Sequence, residues 1–149
     1  GIISYLMGSI PFGLILTKVF LKKDIREIGS GNIGATNALR TGNKIIGYST
    51  LILDIFKAII PVLFIKVYLP QLIFISSLAI FLGHVFPIWL KFKGGKGVAT
   101  YVGILFSIKF LYKFFNARND VLVHFLSLLF FLYNIVFLIS SFNFLNFSM

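Results

Sequence analysis

Apolar runs of about twenty residues, parted by short basic segments, constrain this chain more than any other feature. A bilayer core ~30 Å thick is crossed by about 20 helical residues. Residues 1–21 supply one such run, interrupted by Ser4, Ser9, Thr17 and Lys18. Residues 45–69, 72–90, 98–115 and 121–147 supply four more. The 149 residues are 58% hydrophobic with a mean hydropathy of +0.99, more apolar than soluble domains of this size. In water such a fold would expose much of that surface and associate through it. Lipid offers no partner for backbone N–H and C=O groups, which leaves the helix as the economical spanning form. The expected fold class is therefore all-α, a polytopic integral-membrane helical bundle of about five spans forming a single membrane domain over 1–149.

Fourteen Lys and Arg against four acids give a formal net charge of +10. Such a balance often marks a nucleic-acid binder. Here the cations flank the apolar runs, so membrane topology and an anionic lipid surface account for them, and no nucleic acid is expected. Lys22, Lys23, Arg26, Arg40 and Lys44 follow the first run, and Lys91, Lys93 and Lys96 follow the third. Between the second and third lies only Lys66. Both basic segments thus belong on one face, the cytoplasmic one by the positive-inside rule, with the N-terminus outside. Lys113 and Arg118 run against that pattern near the outer link at 116–120. The run "SYLMGSIPFGLILTKVFL" lacks a basic leader and reads as a first span rather than a cleavable signal. With no cysteine, disulfides, thiolate nucleophiles and Cys-based zinc sites are ruled out, and nothing calls for a cofactor or a metal.

The two polar segments are "REIGSGNIGATNALRTGNK" (26–44) and "KFKGGKG" (91–97). "GSGNIG" formally fits a dinucleotide fingerprint, but no buried strand precedes it, and "GGKG" lacks the spacing of a phosphate loop. The physics of those motifs still applies. Gly31, Gly34, Gly94, Gly95 and Gly97 allow backbone N–H groups to converge on an anion. Ser30, Asn32, Thr36 and Asn37 add neutral donors. Arg40 adds a fork suited to phosphate, and Lys91 and Lys96 add further positive charge. The plainer alternative is a pair of flexible loops carrying topological charge. Two glycine clusters, many small donors and cations on one face favour phosphate binding. Asp54 and Lys57 are three apart and can pair on one helix face, either as a structural ion pair or as a substrate contact. His84 is either a general base or an interfacial polar group, and His124 reads as structural.

Three stretches, "GSIPFGLILTK" (8–18), "DIREIGSGNIGATNALRTGNK" (24–44) and "GHVFPIWLKFKGGKGVAT" (83–100), with "LDIFKA" between the last two, closely resemble the PlsY family over about residues 4–105. That family comprises bacterial membrane acyltransferases. The resemblance implies transfer of a fatty acyl group from acyl-phosphate to the sn-1 hydroxyl of glycerol 3-phosphate, giving lysophosphatidic acid and phosphate in phospholipid synthesis. It also implies a helical membrane bundle, typically of seven spans, in the bacterial inner membrane. Its partners would be membrane lipids and, through a functional link, an enzyme that forms acyl-phosphate. By resemblance Ser30 and Arg40 match residues essential for activity, and Lys96 matches a phosphate-binding lysine. Gly94, Gly95 and Gly97 match the phosphate-holding loop. The proton of the attacking hydroxyl passes to substrate phosphate, with His84 as the alternative acceptor.

Past residue 105 the pattern is lost. The family ends in a cytoplasmic segment bearing a His, an Asn–Glu pair and basic residues, which 106–149 does not reproduce. A divergent or out-of-frame hydrophobic tail is expected, with an inactive remnant or a small anion-binding or transport membrane protein as alternatives to an active enzyme.

Overall fold

The computed structural model describes residues 1–115, with side chains through Lys109; the expected fifth span, 121–147, and His124 lie outside the described residues. Gly1–Phe110 form one compact unit. Every regular element among the described residues is helical. They are α1 (Ile2–Gly8), α2 (Phe12–Leu21), α3 (Ala35–Leu39), α4 (Lys44–Tyr68), α5 (Ile73–Val85) and α6 (Val98–Phe115). Short 3₁₀ turns lie at Ile25–Glu27, Pro70–Leu72 and Ile88–Leu90.

The packing is inside-out relative to a soluble bundle. Along α4, Ile52, Phe56, Ile60 and Phe64 recur every fourth residue and are each half exposed or more. The opposite face buries Thr50, Asp54, Lys57 and Ala58. In α5, Phe74, Ile75, Leu78 and Leu82 point outward while Ser76, Ser77, Gly83 and His84 are buried. Polar groups inward and large apolar groups outward suit a hydrocarbon solvent. The stretches Ile2–Leu21 and Pro70–Leu90 are long and apolar enough to cross a bilayer, and only 33% of each is buried, unlike the core helix of a soluble protein. At 25 residues α4 is about 37 Å long, enough to span despite its charges.

The first span departs from expectation. Instead of one helix over 1–21, the chain breaks after Gly8 and restarts at Phe12. Pro11 causes this: it has no N–H to continue the ladder, and its ring disfavours helical backbone at the residue before it. α1 then packs on α5 and α2 on α4. Glycine sets the first of these contacts and the fit of α2 under the loop that follows it. A Cβ on Gly8 would strike the Ile80 carbonyl, one on Gly83 the Tyr5 carbonyl, and one on Gly13 the Ile33 carbonyl. Small residues let helices approach closely where no hydrophobic effect drives them together. Tyr5 Oη donates to the Phe86 carbonyl at 2.7 Å, and Trp89 Nε1 donates to Ser9 Oγ at 2.7 Å, tying the break to the end of α5.

Candidate functional site

The first glycine segment joins α2 to α4. Lys22 ends α2 in a left-handed conformation. Asp24 then accepts from Arg26 Nη2 at 2.6 Å, Arg26 Nε at 2.9 Å and the Arg26 backbone N–H at 3.0 Å, with Lys18 Nζ at 3.2 Å. These partners, Arg26 foremost, hold its carboxyl well below the usual carboxylate range. Lys18 and Arg26 are thereby engaged. Among the described residues Arg40 and Lys96 have no acidic partner, and both are exposed.

Gly29 (φ +54°) and Gly31 (φ +67°) make turns that L side chains resist. A Cβ on Gly29 would also lie 2.6 Å from Asn37 Oδ1 and 2.7 Å from Arg40 Cδ, so that glycine lets the Arg40 side chain lie across the loop. Asn37 is the internal support. Its Oδ1 accepts from the Ser30 N–H at 3.1 Å. Its Nδ2 shares two hydrogens among the carbonyls of Ile25, Ile28 and Asn32, at 2.9, 2.8 and 2.8 Å. The sequence offered Asn37 as a donor to ligand; its amide is instead turned wholly into the loop. Asn32 Oδ1 caps the Gly34 N–H at 3.0 Å. Ser30, Gly31 and Thr36 remain on the open side.

The second glycine segment joins α5 to α6. Lys91 and Phe92 both have positive φ, turning the chain back on itself. The Gly94 N–H donates to the Val85 carbonyl and the Gly95 N–H to the His84 carbonyl, each at 3.0 Å. Here expectation is corrected: these two N–H groups cap the end of α5 and are not turned toward a ligand. Among the described residues no backbone carbonyl takes the N–H groups of Lys96, Gly97 or Val98, at the start of the 18-residue α6. A helix start of this kind favours an anion. His84 is buried beneath the loop, with Gly95 so close to its Nε2 that a Cβ there would overlap the ring.

The two segments meet through their supports. Leu90, just before the second loop, packs on the buried cluster of Leu14, Ile25, Ile33, Ala38 and Ile46, which lies under the first. The first loop precedes α4 and the second follows α5, so one alternation of helices separates them along the chain. An exposed arginine, several exposed lysines, helix-start N–H groups and small donors thus gather at one end of a membrane bundle. Such an arrangement attracts phosphorylated ligands. The expected pairing of Asp54 and Lys57 forms, Nζ to Oδ1 at 2.8 Å; what the sequence reading missed is that the pair extends to the Ile10 carbonyl and faces His84.

Fold and site together define a helical membrane protein with a cationic, glycine-built cradle at one end. The chain belongs to the glycerol-3-phosphate acyltransferase family, whose model matches residues 1–148. A glycerol-3-phosphate acyltransferase of Pelagibacter ubique is 80% identical over 105 residues, covering 70% of this chain and 55% of that protein. One from Bartonella henselae is 59% identical over 108 residues, covering 69% and 51%. The crystal structure of PlsY (YgiH), an integral membrane glycerol 3-phosphate acyltransferase in its glycerol 3-phosphate form, aligns with a TM-score of 0.67 and 42% identity, covering 72% of this chain and 55% of that one. Its lysophosphatidic acid form aligns with a TM-score of 0.65 and 41% identity. The chain spans about half the length of the relatives it matches.

Proposed function

We propose that this protein acts in membrane phospholipid synthesis by moving a fatty acyl group from acyl-phosphate to the sn-1 hydroxyl of glycerol 3-phosphate. Lysophosphatidic acid and inorganic phosphate are the products. The observation that supports this reading is that Leu90, just before the second glycine segment, packs on the cluster beneath the first, with Arg40 and Lys96 exposed and without acidic partners among the described residues. Both substrates bear phosphate, so the site has several negative charges to hold. Arg40 is the bidentate clamp, with Ser30, Gly31, Asn32, Gly34 and Thr36 around it. Lys96, Lys91 and the N–H groups from Lys96 to Val98 receive the second phosphate. Gly94, Gly95 and Asn37 serve by shaping the loops.

Acyl-phosphate already carries a good leaving group, so alignment and charge stabilisation suffice. The glycerol hydroxyl attacks the acyl carbon, the C–O bond to phosphate breaks, and the hydroxyl proton leaves with a phosphate oxygen. His84, buried behind Gly95, is not at hand for that proton. The acyl chain lies against the apolar surface, where Leu16, Phe20, Ile45 and Ile46 line an open groove bordered by Asn43 and Ser49. The site faces the cytoplasm of a bacterial inner membrane, as the clustered cations favour. An enzyme that forms acyl-phosphate supplies the donor.

Detergent-solubilised protein given acyl-phosphate and glycerol 3-phosphate should release inorganic phosphate only when both are present. Arg40→Ala and Ser30→Ala should each lower that rate at least about a hundredfold, as loss of a charge-stabilising donor does. Phosphate release independent of glycerol 3-phosphate, or unaffected by Arg40→Ala, would sink the assignment.

A further inference from the structure

A buried charged cluster lies beneath the second glycine loop, outside the open cradle. Asp54 and Lys57 come from α4, and His84 from the last turn of α5. All three are 2–4% exposed. Lys57 Nζ stands 2.8 Å from Asp54 Oδ1 and donates to the Ile10 carbonyl at 2.8 Å, the carbonyl beside the Pro11 break. The Phe12 ring centroid lies 5.7 Å from the same ammonium. His84 Nδ1 faces Asp54 Oδ1 at 3.9 Å and has no hydrogen-bond partner among the described residues. The opposite edge of the ring, at Nε2, abuts Gly95, and the His84 and Val85 carbonyls hold the Gly95 and Gly94 N–H groups.

We propose that Asp54, Lys57 and His84 form a positioning unit that fixes the shape of the second glycine loop; its consequence for phosphate rests on the acyltransferase function proposed for the cradle. Apolar side chains of similar volume would stabilise a bundle at least as well as a buried ion pair, so stability alone does not call for these three. Their arrangement does something apolar residues would not. The Asp54–Lys57 pair is anchored to the first span through Ile10. Asp54 flanks one edge of the imidazole, and the other edge is the floor on which Gly95 rests. The ring acts through the loop and does not touch substrate, so His84 is a positioning residue. Gly95 is required because any side chain would occupy the place of the ring.

Hydrogen exchange read by mass spectrometry on the full chain in detergent, with no ligand added, tests this directly. His84→Ala and Asp54→Asn should speed exchange of the bonded amides of Gly94 and Gly95 at least tenfold while α4 exchanges as in the unmodified chain. Lys66→Met removes another α4 lysine, which donates to the Ile108 carbonyl at 3.2 Å, and should leave the loop unchanged. Gly95→Ala carries the test if His84→Ala does not fold, because its methyl meets the ring without altering the buried charges. Unchanged loop exchange in all these variants, or equal acceleration along the whole chain including Lys66→Met, overturns the proposal. Inorganic phosphate is then titrated into the same preparations and followed by ³¹P NMR. Affinity should fall at least tenfold in the cluster variants and hold in Lys66→Met. A chain that binds no phosphate, yet whose loop still answers to the cluster, removes the phosphate reading and leaves the positioning unit standing. Tight phosphate binding with a loop indifferent to the cluster does the reverse.

Discussion

Asn37 has one side-chain oxygen and two N–H hydrogens, and the first glycine loop uses them all, on Ser30, Ile25, Ile28 and Asn32. Removing a buried partner leaves each of those groups with a desolvation cost of roughly 1–3 kcal/mol. Asn37→Ala should therefore cost at least about 2 kcal/mol. Asn37→Asp should cost more, since it sets a carboxylate against three carbonyl oxygens. Melting curves in detergent check both, and an Asp variant as stable as the original would mean that the Asn37 amide does not hold the loop closed. The kind of residue was legible in the sequence: a short amide in a glycine-rich segment belongs to a turn or to a ligand. Its direction was not, because that depends on how the loop closes over Ile25 and Ile28. The same holds for Gly94 and Gly95, whose N–H groups could serve a ligand or a helix end until the end of α5 is seen beneath them.

Helices α1 and α5 cross at glycine, Gly8 against the Ile80 carbonyl and Gly83 against the Tyr5 carbonyl. A methyl at position 83 must push the two backbones apart, with no flexible side chain to give way. Gly83→Ala should lower the melting temperature in detergent by several degrees, whereas Leu78→Ala on the outward face of the same helix should have little effect. Equal effects would mean that the close crossing does not hold the helices together. Length and hydropathy located the helices well, since period and apolar content depend on local sequence. The break in the first run was also written there, in Pro11. Residues 1–21 keep the length and apolar content of one span, but not as one unbroken helix, since a helix seldom continues through the residue before a proline. At the break the Ile10 carbonyl takes, besides the Phe12 N–H, a lysine 47 residues further on, which no local pattern reveals.

At the scale of the whole molecule, span parity predicts that the two basic loops share one side of the membrane and the turn at Pro70–Leu72 lies on the other. The chain has no cysteine, so single introduced cysteines report without background. In inverted membrane vesicles, Lys23→Cys and Lys93→Cys should both react with an impermeant maleimide, and Gln71→Cys should react only after the membrane is permeabilised. Opposite labelling of positions 23 and 93 would separate the loops and dissolve the site. From the sequence come an expected orientation and an expected pairing of loops, both resting on charge counts and span parity. The inward charges of α4 were visible as residues but not as a network, since their partners come from two other helices.

The Ile10 carbonyl, beside Pro11, accepts from the Phe12 N–H at 3.2 Å and from Lys57 Nζ at 2.8 Å. Without that lysine the carbonyl keeps only the longer local bond, and hydrocarbon penalises a poorly served backbone dipole. The first and second hydrophobic segments are therefore coupled at this point, and a change at Lys57 is felt beside Pro11 as well as within α4.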